Sequence, residues 1–359
     1  MPFIPTRQLL AQFANRAVVY SRNGDPAKVL TALSYRSLPP PLSNTVNVRF
    51  LLAPINPADL NVIEGVYPAK PTLDSSLASS GLGSRQNPVF VAGNEGLAQV
   101  TEVGDDVSGL QRDDWVIMTR PQIGTWCTSK NVHFQDVLKV PRVDGLSEVH
   151  AATMTVNPPT AYNMLKDFVQ LAEGDWVVQN GANSAVGQAV IQIAASRGIK
   201  TLNFVRSRNN IDELRNQLQD LGATKVFTYD ALNDKSLRQT VKEWTRGKGI
   251  RLGLNCVGGQ ETTLMAKLLG DDAHLVSYGA MSKQPFRWYQ QKSREEQMQL
   301  MEVLVSLMQN GKLKEPMHEV VSVSGSESDE IVGQKVRDVI SKTTTGQHGK
   351  KVLLRFLRD

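Results

Sequence analysis

The sequence predicts an α/β protein of two domains, one β-rich and one built on a doubly wound parallel sheet. Three observations carry this. Short strands broken by Pro and Gly dominate the first 155 residues. Strands and helices then alternate from Trp176 to Tyr278. The chain's 359 residues also exceed what one core usually serves. In the first part, strands are expected at Ala17–Tyr20, Thr45–Leu52, Val89–Val91, Leu97–Val103, Trp115–Met118 and Leu138–Lys139, with few helices. In the second, a strand at Trp176-Val177-Val178 runs into the turn Gly181–Gly187. A helix follows with Val186, Ala189, Val190, Ile193 and Ala194 on one face and Gly198 at its end. Next come a strand Thr201–Val205 and a helix opened by Asn210 with Glu213 at N3 and closed by Gly222. A strand Lys225–Tyr229, a polar helix Ser236–Thr245 and a strand Leu252–Cys256 continue the series. It ends with a helix Glu261–Leu269 and a strand His274–Tyr278. A Leu/Met-rich helix Gln297–Met308, stopped by Asn310-Gly311, and a final strand Lys351–Phe356 imply that the C-terminus returns to the first domain.

Composition narrows the function classes. A charged fraction of 21% and a hydrophobic fraction of 41% describe a globular protein, with no apolar run long enough to cross a membrane. Two cysteines, Cys127 and Cys256, leave no disulfide framework and no cysteine-based zinc site. The net charge of +5 is spread along the chain, and no nucleic-acid module accompanies it. Residues 1–16 hold Arg7 and Arg16 and no acid, which suits a short organelle-targeting leader and suits a disordered N-terminus equally. Ser/Gly-rich loops are expected at Ser75–Ser84 and Ser322–Ser328.

The chemistry is expected at the turn after Val178. A helix N-terminus at the end of a parallel strand presents unpaired N–H groups to a pyrophosphate, and Gly187 lets helix and strand pack closely. Ser184 stands where the usual middle glycine would be, and small residues also crowd ordinary strand–helix turns. After the next strand comes Arg206-Ser207-Arg208, where an NAD site would carry an acid. Guanidinium groups suit a 2′-phosphate, so NADPH is expected, the bland alternative being a solvated basic loop. Gly258-Gly259 and Tyr278–Met281, at later strand ends, are cofactor contacts or simply turns.

The chain resembles the medium-chain dehydrogenases/reductases, and within them the trans-2-enoyl thioester reductases of mitochondrial fatty acid synthesis. The matching segments are Ile55–Asp59, Gly65–Pro68, Gly93–Gly96, Gly109–Val116 and Val156–Tyr162. They continue through the dinucleotide turn, Arg206–Arg208, Asn255–Gly259, Tyr278–Lys283 and Gly349–Val352. The resemblance implies a GroES-like catalytic domain (17–155 and 311–359), a Rossmann NADPH-binding domain (156–310), a homodimer and a place in the mitochondrial matrix. It implies Tyr67 as the catalytic residue. It also implies Asn157, Asn183, Ser184, Ala185, Val186, Arg206, Ser207, Arg208, Tyr278, Gly279, Ala280, Met281 and Lys350 as NADPH contacts. Zinc alcohol dehydrogenases of the superfamily carry Gly-His-Glu where this chain has Gly93-Asn94-Glu95, so no metal is expected and the five histidines carry no role. The substrate is then an enoyl thioester on acyl carrier protein or coenzyme A. A quinone or enone reductase, and a cofactor-binding protein without turnover, remain open. One departure stands out: only Phe286 separates Pro285 from Arg287, where the family continues through an apolar strand that pairs the two subunits. The sheet is expected to have one strand fewer and the dimer to be weakened.

Overall fold

The computed structural model describes residues 15–67, 71, 73, 77, 89–279, 292–344 and 350–357. They divide into two compact units. The first contains residues up to Thr155, Ser293–Met298 and those from Met317 onward; the second contains Val156–Lys292 and Gln299–Pro316.

The first unit is mostly sheet. A three-stranded sheet runs in the order β2-β1-β4, with β1 (Asn15–Tyr20), β2 (Thr31–Tyr35) and β4 (Phe90–Val91). A larger sheet has the path β14-β15-β3-β5-β6-β8, with β7 also pairing β3. Its strands are β3 (Thr45–Pro54), β5 (Leu97–Val103), β6 (Trp115–Met118), β7 (Ser129–His133), β8 (Val137–Val140), β14 (His318–Val323) and β15 (Lys351–Phe356). Antiparallel pairing of β15 with β3 returns the C-terminus to the start of this unit, as the closing strand required. One core cluster gathers Val46, Val48, Phe50, Val100 and Met118; another gathers Ile55, Ile63, Trp126, Val336 and Leu354.

Among the described residues before Thr155 helices are few and short, as expected, although none was placed in advance. Pro57–Glu64 is helical, since Pro is tolerated in a first turn where its missing N–H leaves no gap. Asp329–Thr344 is a long helix that buries Val332, Gly333, Val336 and Ile340 along one stripe. The loop expected at Ser322–Ser328 begins inside β14 and is held by Arg16. That guanidinium pairs with Asp329 at 3.0 Å and donates to the carbonyls of Ser324, Gly325 and Glu327. Arg16 thus belongs to a buried strand, so Asn15 and Arg16, the last two residues of the segment read as a leader, are part of the fold.

The second unit carries a five-stranded parallel sheet in the order β11-β10-β9-β12-β13. Its strands are β9 (Trp176–Gln179), β10 (Lys200–Val205), β11 (Lys225–Thr228), β12 (Ile250–Asn255) and β13 (Leu269–Ser277). Strand order reverses about β9, with β10 and β11 on one side and β12 and β13 on the other. Ligands of doubly wound sheets bind at such a switch point, outside the carboxyl ends of the strands. β9, β10 and β12 are nearly continuous apolar or buried runs, as strands covered on both faces must be. One face packs Leu237, Val241 and Met265; the other packs Ile191, Leu214 and Leu218. β13 ends the sheet among the described residues. The segment on which the missing-strand expectation rests, 280–291, lies outside them, as do Ala280 and Met281.

Candidate functional site

The second unit builds a phosphate-binding edge. After β9 the chain turns through Gly181–Asn183 into the helix Ala185–Ser196. Ser184 is the N-cap: it is extended (φ −68°, ψ 162°) and its hydroxyl accepts from the Gly187 N–H at 3.1 Å. No positive φ is needed there, so the lost glycine costs nothing and the hydroxyl satisfies one orphan donor. The N–H groups of Ala185 and Val186 open the first turn without intrahelical acceptors and face the partial positive charge of the helix end. Gly187 has no substitute, because a Cβ would lie 2.5 Å from the Ala182 carbonyl oxygen. Asn183 contributes its carbonyl to Gln188 Nε2 at 2.8 Å.

Arg206, Ser207 and Arg208 leave β10 at the same edge, beside the turn that Ala182 joins to Phe204 through a 3.2 Å backbone bond. Arg206 and Ser207 are exposed, whereas Arg208 is half-buried, with its Nε covered and unpartnered among the described residues. Asn157 opens the helix Asn157–Asp167 and is buried. Tyr278 follows β13. Its hydroxyl is buried beside the Cys256 thiol and the Ser184 hydroxyl without a well-directed bond, and burial first, then Cys256, pushes it well above the ordinary phenol value. Gly279 is explained by backbone crowding, since a Cβ would meet the Cys256 carbonyl oxygen at 2.3 Å. Around the switch point, Asn180 and Asn255 form a polar clasp. Asn180 Nδ2 donates to Asn255 Oδ1 at 2.7 Å, and that oxygen also accepts from the N–H of Gly258 at 3.0 Å.

In the first unit, Tyr67 comes just past the helix Pro57–Glu64. That helix ends at Gly65 in the left-handed conformation (φ 83°), and the N–H groups of Val66 and Tyr67 both return to the Asn61 carbonyl, at 3.0 and 3.1 Å. Tyr67 is therefore fixed by a helix end rather than by a free loop. Burial, reinforced by Asp59, raises its phenol above the ordinary value, so it is a neutral O–H donor across the physiological range.

Beneath it lies a buried polar network whose roles the sequence reading did not assign. Asp59 accepts from the Asn56 N–H at 2.7 Å and from the Asn94 N–H and Nδ2, both at 2.9 Å. Asn56 donates to Glu95 Oε2 at 2.9 Å and accepts from Lys351 Nζ. The other Glu95 oxygen accepts from the Thr155 N–H at 2.8 Å. Burial lifts the Asp59 carboxyl to about 6, against the pull of the Asn56 N–H and Lys351, and burial lowers the Lys351 ammonium. Lys350, the expected contact, is exposed, while its neighbour Lys351 is the one engaged. The signal was present in Asp59 and Glu95, which lie in two of the segments that carry the resemblance, Ile55–Asp59 and Gly93–Gly96.

A β-rich unit combined with a doubly wound unit that carries a glycine-closed dinucleotide turn defines a medium-chain dehydrogenase/reductase. A profile described as "Alcohol dehydrogenase GroES-like domain" matches residues 43–164 and one described as "Zinc-binding dehydrogenase" matches 185–321. The donor set does not fit a catalytic zinc. The Asn94 amide, at the usual histidine position, is committed to Asp59 and to the Gln122 N–H, and no group of three His, Cys, Asp or Glu side chains gathers among the described residues.

Curated relatives match over 75–98% of the chain. The mitochondrial enoyl-[acyl-carrier-protein] reductase of Schizosaccharomyces pombe is 38% identical, covering 94% of this chain and 93% of its own. The Homo sapiens enzyme of the same name is 43% identical over 75% of this chain and 67% of its own. Among solved structures, the mitochondrial 2-enoyl thioester reductase heterodimer from Candida tropicalis superposes with a TM-score of 0.83. It is 33% identical, and the match covers 95% of this chain and 99% of that one. The Etr1p complex with NADP and crotonyl-CoA gives 0.84 at 32% identity, with the same coverage. The chain belongs to the family of mitochondrial enoyl-[acyl-carrier-protein] reductases.

Proposed function

We propose that this protein reduces the 2,3 double bond of trans-2-enoyl thioesters, carried on acyl carrier protein or coenzyme A, with NADPH in the mitochondrial matrix. The observation that carries this reading is Tyr67, a phenol anchored at the end of a capped helix by its N–H bond to the Asn61 carbonyl. The cofactor fits the chain's own groups. Ala185 and Val186 offer N–H donors at the helix start, and Gly187 lets that helix pack closely on the turn. Arg206 and the unpartnered Nε of Arg208 suit the 2′-phosphate that separates NADPH from NADH. Bound there, NADPH supplies the hydride that adds to the β-carbon of the enoyl group. Tyr67 gives a hydrogen bond to the thioester oxygen as negative charge builds there, and a proton from the solvent completes the α-carbon.

Residues 17–155 and 311–359 act as the catalytic domain and 156–310 as the cofactor domain, with Asn157, Asn183, Ser207, Tyr278 and Lys350 as further cofactor contacts. The assembly is a homodimer, weakened because one residue between Pro285 and Arg287 cannot make the subunit-pairing strand. The test is NADPH oxidation with trans-2-enoyl-CoA substrates of several chain lengths, with a quinone in parallel. Turnover confined to the quinone, or NADPH binding with no oxidation by any enoyl thioester, overturns the reading.

A further inference from the structure

The helix Lys235–Trp244 carries a row of cations that the rest of the second unit leaves unused. Lys235, Arg238 and Lys242 fall at i, i+3 and i+7, on one face and over roughly 10 Å of the helix. Leu237 and Val241 bury the other side against Trp176, Val178 and Leu202, so the row faces solvent. All three cations are exposed, as are Arg246 and Lys248 just beyond the helix, and none of these makes an ion pair among the described residues. The acids of residues 234–249 are spent elsewhere. Asp234 accepts from the Ser236 N–H at 2.8 Å, and Glu243 from Gln239 Nε2 at 3.3 Å. Local stability does not account for the row. Lys235 and Arg238 stand in the opening turn, where the helix end is partly positive and acids are favoured, and that turn holds no acid. Arg246 adopts the left-handed conformation (φ 52°) at a helix end where glycine is the unstrained choice.

We propose that this face is an electrostatic docking surface for an anionic lipid bilayer, on which the chain rests as a peripheral protein. A convex row of long side chains encloses no small anion. It suits an extended negative surface, since lysine and arginine are drawn to anionic headgroups without any pocket. The surroundings decide between such surfaces. A protein partner needs an apolar core for its interface, and among the described residues 230–250 no large apolar side chain is exposed. Single-stranded nucleic acid needs aromatic faces for its bases. Trp244, the aromatic of this helix, is stacked on Trp176 and covered by the Lys225 ammonium at 5.2 Å. A bilayer needs neither. With no exposed apolar side chain beside the row, contact stays at the headgroups, is screened by salt and involves no insertion.

The experiment is co-sedimentation of the full chain with vesicles of phosphatidylcholine alone and of phosphatidylcholine with about 30% phosphatidylglycerol, at about 50 and about 500 mM salt. The unmutated chain is compared with a combined variant, Lys235→Gln, Arg238→Gln and Lys242→Gln. A control of equal net charge, Arg22→Gln, Arg112→Gln and Lys312→Gln, removes exposed cations elsewhere. Thermal melts verify that both variants fold. The unmutated chain should partition onto the anionic vesicles, and at low salt only. The first variant should bind them about 100-fold more weakly, about 5-fold for each cation lost, and the control within about 3-fold of the original. No partition onto anionic vesicles at low salt overturns the proposal. Equal weakening by the two variants overturns it as well, and assigns binding to net charge alone. So does tighter binding to a duplex oligonucleotide or to acyl carrier protein than to the vesicles, if only the first variant loses it; the row would then belong to that partner.

Discussion

Asp59 makes the fold itself pH-dependent, in a direction opposite to that of most carboxylates. Its carboxyl is lifted from an ordinary 3.8 to about 6, mainly by burial. A group with a raised folded-state value binds its proton more tightly in the folded protein. Its contribution is therefore fully present below the unfolded value and is lost as pH rises through about 6. At about 1.4 kcal/mol per pH unit, the loss between pH 4 and pH 7 amounts to ~3 kcal/mol, a sizeable share of a typical domain's stability. Asp59→Asn removes the titration and keeps an acceptor for the Asn94 and Asn56 donors. Stability would be read from urea denaturation of both proteins at pH 4, 5, 6 and 7. Taking the difference between the two proteins cancels every other group except Glu95 and Lys351, which are coupled to the site. The original chain should lose ~3 kcal/mol relative to Asp59→Asn across this range, most of it between pH 4 and 6. Parallel curves would refute the reasoning, and would mean that Asn56, Asn94 and Lys351 hold the carboxylate well enough to offset its burial.

Other expected outcomes follow from single contacts. Tyr67→Phe should lower kcat by about 10²-fold with NADPH affinity nearly unchanged, measured by steady-state kinetics and titration; full activity would return Tyr67 to packing. Replacing Arg206 and Arg208 together by Ala should erode the preference for NADPH over NADH by ~2–4 kcal/mol in paired titrations, since two cations lose one phosphate. Gly187→Ala should destabilise the protein by ~1–3 kcal/mol in denaturation and weaken both dinucleotides, because its Cβ would sit 2.5 Å from a backbone oxygen that cannot move aside. Light scattering across a dilution series should show a dimer that dissociates readily; a tight dimer at the lowest concentration would mean that the sheet edge closes in another way.

Much of the second unit was legible because its signals are local. Apolar runs bounded by Gly, the small residues of Gly181–Gly187 and the periodic Leu214 and Leu218 specify strand, turn and helix within a few residues of themselves. The paired arginines after β10 speak for a phosphate in the same way, since fixed charges need no partner to be recognised. Some boundaries moved further: the helix expected at Glu261–Leu269 runs Gly259–Ala266, and the strand expected from His274 starts at Leu269. The helices Pro57–Glu64 and Asp329–Thr344 escaped notice because a first-turn proline reads as a break and a single buried stripe reads as a loop. Two decisions belonged to tertiary structure alone. The Asn56–Asp59 pair, Glu95 and Lys351 are far apart in the chain and carry no mutual spacing, and the pairing of β3 with β5 and with β15 brings them into one buried network. Tyr229 looks like any strand-end aromatic until the register of β10 and β11 sets it beside Arg206 and beneath the Gly181 N–H. The sequence by itself determined which segments are strands and which turn meets a phosphate, because propensity and charge act over short range. The tertiary structure decided which polar groups share a low-dielectric space, because burial and the interactions it strengthens exist only once distant segments have packed.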